Sequence, residues 1–390
     1  MARILWVTTV PATAGFVLPL AARLGERGNY VELACGPGEH LEMLLSHFPV
    51  SLVSLQRNPL TLANLRAVIQ LYRLIRRGHF DIVHSYTPVA GVIGRIAAHI
   101  AGVPIIIHSV LGSFLVDEVP AWQRLLYLAS ERMLGRWTDL FITLNEADSR
   151  DLVTHQIASE VKVASLRYEF GVDLTRFDPD RVDKSKIETL RHELGLTSSA
   201  PVLGFIGRLV GEKGILDLFK AFTILRHLGY EAQLLFVGDV LASDRDQESL
   251  GELRHRIAAQ GLEGSVIFAG YRQDIPDLIS LMDVVILPSH REGFPRIPVE
   301  AAAMGKPAIT TTTRGHEVAV IDGVTGLVVP IADPIRLARA IETLVRDPAL
   351  ARQMGRAGFE RARELFDEQR IVDTQMAHYD KAIQDSGVAL

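Results

Sequence analysis

The chain reads as an α/β protein: two Rossmann-like, doubly wound parallel-sheet domains facing one another across a cleft. Three observations predict this. Short apolar runs alternate with helix-period segments along the whole sequence, and strands alternating with helices imply parallel sheets. The alternation falls into two sets separated by a polar stretch. The length of 390 residues suits two domains of roughly 100–200 residues each. Ligands of doubly wound sheets bind beyond the carboxyl ends of the strands, so two facing sheets place the site between the domains.

In the first set the expected strands are Ile4–Thr8, Tyr30–Ala34, Ile82–His84, Pro104–Ser109, Leu140–Thr143 and Lys162–Ser165. In the second they are Val202–Ile206, Gln233–Val237, Val266–Ala269, Val284–Leu287, Ala308–Thr312 and Leu327–Val329. Helical spacing lies between them, as in Ile215, Leu218, Phe219 and Phe222, with Gly229 placed to end that helix. Asp178-Pro179-Asp180 and a polar helix from Lys184 separate the sets. The expected domains are 1–175 and 176–367. No internal repeat or low-complexity tract is present.

Hydrophobic residues make up 48% and charged residues 22%, the balance of a soluble globular protein. The single cysteine, Cys35, precludes an internal disulfide framework and fits a reducing, cytoplasmic compartment. No signal-peptide pattern opens the sequence, and no apolar run reaches the ~18 residues of a membrane span. The net charge of −5 argues against nucleic acid as a partner. Residues 1–170 carry 15 basic and 14 acidic residues, the remainder 26 and 32. Between Met43 and Phe80 there is no acid, yet Arg57, Arg66, Arg73, Arg76 and Arg77 are present. Leu62, Leu65, Val68, Ile69, Tyr72 and Ile75 interleave with them at helical spacing. Such a helix suits either peripheral contact with an anionic membrane at the inner face of the plasma membrane or ordinary packing with a solvated face.

The stretch Arg291-Glu292-Gly293-Phe294-Pro295-Arg296 leads into an alanine-rich helix carrying Glu300. The glycine lets backbone N–H groups approach a ligand, and the new helix N-terminus favours an anion. Glu292 stands at the mouth of the turn. Glu300, a little over two turns on, can face the same cleft. Carboxylates for hydroxyls, with N–H groups and cations for phosphates, suit a sugar nucleotide. Arg208 and Lys213 follow Val202–Ile206 on a loop containing Gly207, Gly211 and Gly214, placed to steady a leaving diphosphate. Tyr271 and Arg272 follow another strand, positioned for a nucleobase. In the first set, Gly15 lets backbone approach the diphosphate, while Phe16, with Pro19, shapes an acceptor pocket. His84 and His108 end strands and are acceptor-side candidates.

The Arg291–Pro307 stretch resembles the signature of glycosyltransferase family 4, retaining enzymes of GT-B architecture. Val266–Tyr271, Leu287-Pro288-Ser289, Asp322–Pro330 and Gly207-Arg208-Leu209 with Glu212-Lys213-Gly214 fit the same pattern, which covers roughly residues 200–366. Asp81-Ile82-Val83-His84, Thr87-Pro88 and Gly91 extend it more loosely into the first half. The resemblance implies that Arg208 and Lys213 contact the donor diphosphate. It gives Glu300 the ribose hydroxyls and Glu292 those of the transferred sugar. Gly293, Phe294, Pro295 and Arg296 would cradle sugar and phosphate. It also implies that a last helix, within 368–390, crosses back onto the first domain. The implied activity is retaining transfer of a hexose or N-acetylhexosamine from a nucleotide sugar, with UDP the favoured carrier. The acceptor would be a glycan or a polyprenyl-diphosphate-linked sugar in bacterial cell-surface polysaccharide assembly.

Two departures stand out. Leu111 occupies a position where many relatives carry histidine, and Tyr168-Glu169-Phe170 replaces a usual Pro-Asn-Gly. Asp244-Arg245-Asp246 has the form of a metal-binding triplet but lies in a polar stretch read as solvated surface, and no Cys/His cluster has zinc spacing. No cofactor and no divalent metal are therefore expected. Two rivals are a non-catalytic nucleotide-sugar-binding protein of this fold and a GT-B sugar-nucleotide epimerase. An oxidoreductase is disfavoured because no G-x-G-x-x-G follows a strand.

Overall fold

The computed structural model describes residues 1–11, 18–38, 41–59, 61–111, 121–166, 171–241, 244 and 246–387. The described chain divides into two compact units, Met1–Phe170 with Gln369–Leu390, and Gly171–Glu368. Residues 171–175, assigned to the first domain by sequence, group with the second. Val172 bridges Asp367 in parallel, and its N–H donates to the Phe366 carbonyl at 2.8 Å.

The first unit carries seven strands: β1 (Arg3–Thr8), β2 (Tyr30–Cys35), β3 (Val50–Leu52), β4 (Ile82–Tyr86), β5 (Ile105–Val110), β6 (Leu140–Thr143) and β7 (Val163–Ser165). They lie in the order β3-β2-β1-β4-β5-β6-β7, all parallel. The inner strands are apolar and buried on both sides, as a sheet covered by helices on both faces requires. β3 escaped the sequence reading because this edge strand is only three residues long and none of them is buried. One side of the sheet is covered partly by the C-terminal helix Glu368–Ser386, whose Val372, Met376 and Tyr379 join Trp6, Ile82 and Ile107 in one core cluster. The Trp6 indole donates to the Tyr379 hydroxyl at 3.0 Å. Ala67, Leu71 and Ile75 of helix Leu62–Gly78 and Ala90, Ala97 and Ala98 of helix Pro88–Ala101 fill a second cluster.

The second unit carries β8 (Val202–Ile206), β9 (Gln233–Val237), β10 (Val266–Phe268), β11 (Val284–Leu287), β12 (Ala308–Thr311) and β13 (Gly326–Val329). Their order is β10-β9-β8-β11-β12-β13, again all parallel. Strands are added outward in one direction from β8 to β10 and in the other from β11 to β13. The reversal of winding, where doubly wound sheets open a ligand crevice, therefore falls between β8 and β11. A single large core, including Phe205, Phe219, Phe222 and Phe236, anchors both strands.

Candidate active site

The site begins with two apolar strands that end side by side. β8 runs into Gly207 at φ +153°, and its neighbour β9 into Gly238 at φ +128°. A Cβ on Gly238 would stand 2.0 Å from the Gly207 carbonyl oxygen, so only glycine allows the strand ends to close up. The chain then turns through Arg208 into a 3-10 turn, Gly211–Lys213. Gly214, at φ +72°, ends that turn, and a Cβ there would lie 2.0 Å from the Pro288 carbonyl. The loop after β8 is thereby pressed against the loop after β11. The His290 N–H fastens it by donating to the Glu212 carbonyl at 2.8 Å.

This contact brings Lys213 to Glu292. The ammonium donates to Glu292 Oε1 at 2.6 Å, and the Ser289 hydroxyl donates to the same oxygen at 2.7 Å. Both charged side chains are largely enclosed, with 18% and 11% of their surface exposed, so each needs the other. Arg208 is gripped by two carboxylates: one guanidinium nitrogen donates to Asp244 and the other to Glu212. Burial opposes its charge, but Asp244 and Glu212 outweigh burial and hold the guanidinium above its ordinary pKa. Asp244 and Asp246, expected on a solvated surface, are corrected by these contacts. The Asp244 side chain is sealed beside Arg208. Asp246 accepts from the Gly211 N–H and the Ser249 hydroxyl, each at 2.6 Å. Burial pushes its carboxyl up, yet those hydrogen bonds prevail and lower it to about 2. Arg245 lies outside the described residues.

Beyond Glu292 the chain passes Gly293 and Phe294 to Pro295, which stands at the N-cap of helix Arg296–Ala303 with no side-chain cap. Gly315 comes so close that a Cβ on it would meet the Gly293 carbonyl at 2.5 Å. Phe294 is buried and packs against Phe366. Glu300 is buried one turn into the helix, where Arg296 Nε lies 2.8 Å from its Oε1. Burial raises its pKa above the ordinary carboxylate value, against the pull of Arg296 and Arg176.

The structure therefore gathers Gly207, Arg208, Lys213 and Glu292 at the carboxyl ends of β8 and β11, with Gly293 to Arg296 and Glu300 following on. Tyr271 and Arg272 stand apart, after the edge strand β10. Tyr271 is exposed, and Arg272 makes a two-pronged contact with Asp274 at 2.9 and 2.6 Å and another with Glu193 at 2.9 Å. Those bonds to Asp274 and Glu193 raise its pKa and commit the guanidinium.

His84 and His108 do not present themselves to solvent as acceptor-side groups would. His84 is 1% exposed, between the Tyr379 and Ser109 hydroxyls, and burial lowers its pKa to about 3. His108 is buried against Gly91, with Nδ1 2.9 Å from the Ser85 hydroxyl, and burial also drives it well below its ordinary value. Gly15 and Phe16 lie outside the described residues. Leu111 packs against the first unit's core. The sequence reading gives no site role to Ser289, Asp244 or Gly238, although Ser289 stands in the Leu287-Pro288-Ser289 motif and Asp244 in the acidic triplet read as surface. Among the described residues no group of three or more His, Cys, Asp or Glu side chains is placed to share a metal ion.

The sequence matches two family models, the group 1 glycosyl transferases over residues 186–361 and a glycosyl transferase 4-like domain over 13–167. It is 31% identical over 336 residues to the putative glycosyltransferase EpsD of Bacillus subtilis, covering 85% of this chain and 84% of that one. The chain belongs to the group 1 glycosyl transferases. This glycosyltransferase is also 29% identical to the capsular polysaccharide biosynthesis glycosyltransferase CapM of Staphylococcus aureus, covering 86% of this chain and 85% of CapM. It is 27% identical to an Escherichia coli enzyme named UDP-Gal:alpha-D-GlcNAc-diphosphoundecaprenol alpha-1,3-galactosyltransferase, covering 76% of this chain and 74% of that one. Among solved structures it resembles Anabaena HepE in complex with UDP and glucose, with a TM-score of 0.83 at 23% identity over 98% of this chain and 100% of HepE. The fold is thus GT-B and the activity glycosyl transfer.

Proposed function

We propose that the enzyme moves a hexose or N-acetylhexosamine, with retention, from a UDP-linked donor to a sugar carried on polyprenyl diphosphate. The observation that carries this reading is the convergence of Arg208, Lys213 and Glu292 at the crevice between β8 and β11. Two cations there suit a diphosphate whose charge grows as its bond to the anomeric carbon breaks. Glu292 suits the hydroxyls of the departing sugar, Glu300 the ribose, and the Gly293–Arg296 backbone the phosphate and sugar between them. The new bond forms from an acceptor hydroxyl to the same carbon on the same face. The hydroxyl proton passes to the leaving phosphate oxygen, so positioning and anion stabilisation suffice without a protein base. No divalent metal enters this scheme, because the two cations supply the positive charge that a metal would otherwise bring. The relatives named for capsule synthesis and for a diphosphoundecaprenol substrate support the acceptor class.

Helix Leu62–Gly78 supports work at the inner face of an anionic membrane. Its inner side packs Ala67, Leu71 and Ile75, while Leu62, Leu65, Ile69 and Tyr72 point outward among Arg66, Arg73, Arg76 and Arg77. No helix among the described residues is long and apolar enough to cross a membrane.

The test is thermal unfolding with a panel of nucleoside diphosphates, followed by transfer assays on a diphosphate-linked acceptor with and without EDTA. UDP at 100 times its Kd should add about 2.7 kcal/mol, and transfer should survive the chelator. Stabilisation by another nucleotide alone would overturn the donor, and activity restored only by Mg²⁺ or Mn²⁺ would overturn the metal-free scheme.

A further inference from the structure

A second concave site lies in the first unit, beside the amino ends of β6 and β7. Helix Ala121–Gly135 ends over a cavity of about 550 Å³ lined by Arg132, Arg136, Val153, Ile157 and Lys162 among others, with no carboxylate in the lining. Gly135 makes the wall: a Cβ there would stand 2.0 Å from the Ile157 carbonyl, so glycine lets the 155–158 segment close against the helix end. Gln156 is held at φ +56° in that segment, and Ile157 is buried beneath it with Phe141 and Leu152. Arg132 and Lys162 are fixed by bonds of 2.7 Å to the His155 and Thr138 carbonyls. None of the three cations makes an ion pair among the described residues. Three cations around a hollow without a counter-charge suit a phosphate ester.

The same helix buries Leu134 and packs Leu128 inward, yet it also turns an apolar ridge outward. Its polar Glu131 points inward to a buried two-pronged ion pair with Arg95 at 2.7 and 2.9 Å. Trp122, Leu125, Leu126 and Met133 face outward, with Trp122 62% exposed. A surface helix in water normally shows the opposite polarity. This apolar ridge covers about 16 Å of helix at 1.5 Å per residue and ends at the cationic hollow. Helix Pro88–Ala101 packs against both this helix and Leu62–Gly78, so the two outward faces lie on one side of the sheet.

We propose that this hollow binds the phosphate of an anionic phospholipid headgroup while the Trp122–Met133 ridge enters the lipid interface. The inference rests on the membrane reading above and gives it a second, specific foothold. Tryptophan suits that boundary because one end of its ring is apolar and the other donates a hydrogen bond.

The test is co-sedimentation with vesicles of phosphatidylcholine, with and without phosphatidylglycerol. The protein should follow the anionic vesicles. Arg132→Gln/Arg136→Gln/Lys162→Gln should weaken that partition about a hundredfold, the scale of three basic residues at a charged surface. Arg136→Gln alone should weaken it about fivefold. This variant decides the question if the triple variant does not fold, because the Arg136 side chain makes no hydrogen bond or ion pair among the described residues. Loss of binding in Arg66→Gln/Arg73→Gln with none in Arg136→Gln would overturn the hollow and leave the basic helix as the membrane contact. Protection by inorganic phosphate without vesicle binding would replace the lipid by a free anion. Concentration-dependent dimerisation abolished by Trp122→Ala would assign the ridge to a second copy. UDP stabilisation measured without vesicles should be the same in all these variants. Its absence in the unaltered protein would count against the donor reading, not against the hollow.

Discussion

Arg208 is held by two carboxylates of unequal standing. The Asp244 side chain is 1% exposed and Glu212 50% exposed. An incoming diphosphate competes with both, and the exposed one yields more easily because water already screens it. Glu212→Gln should therefore tighten UDP binding about two- to fivefold, the scale of one surface ion pair. Asp244→Asn should weaken it, since the guanidinium loses the buried partner that orients it. Calorimetric titration of both variants reads this directly, and effects of the same sign would refute the division of roles. Arg208→Ala or Lys213→Ala should lower kcat by about 10²–10³, as loss of one anion-stabilising donor does. Near-normal turnover in either would remove that residue from the chemistry.

At the scale of elements, the site depends on two loops being allowed to touch. Gly214 is both at φ +72° and against the Pro288 carbonyl. Gly214→Ala should cost more than about 1 kcal/mol and separate Lys213 from Glu292. Urea unfolding together with UDP affinity would check this, and an unchanged midpoint with unchanged affinity would contradict it. The loop residues themselves were legible in sequence, because glycines and charges after a buried apolar strand have few other uses. Their partners were not. Asp244 lies 36 residues from Arg208, in a polar run whose composition is that of a solvated loop. Nothing local marks it as the counter-charge of a distant arginine. The strands followed the same division: β6, β8, β9 and β11 have the expected bounds because long buried apolar runs announce themselves. The edge strand β3 lacks such a run and was missed. His84 and His108 misled for a related reason, since a histidine at a strand end looks the same whether it faces solvent or a neighbouring hydroxyl.

Over the whole molecule, those imidazoles set a pH response. His84 and His108 are buried neutral, and both have lowered pKa values. Below about pH 6.5, the ordinary histidine value, the unfolded chain binds protons that the folded one refuses. Stability is therefore complete above that value and falls as pH drops toward about 3, where His84 titrates in the folded state. Each such imidazole steepens the fall by up to about 1.4 kcal/mol per pH unit. Asp246 adds a loss in the same direction at lower pH, as its carboxyl is protonated toward about 2. Melting temperatures between about pH 7.5 and about pH 5 should fall less steeply for His84→Gln than for the unaltered protein, and parallel slopes would exclude this origin.

The helix Glu368–Ser386 carries a further consequence for biosynthesis. Tyr379 completes the packing around Trp6 and His84, yet it is made after the whole second unit. The second unit is one unbroken segment, Gly171–Glu368, and can close as soon as it leaves the ribosome, whereas the first must wait, one side of its sheet still wet, until the segment beyond Glu368 has been made. Domains made first usually fold first; here the order of birth and the order of completion are reversed, because the amino-terminal half closes only with a segment that follows the whole second unit.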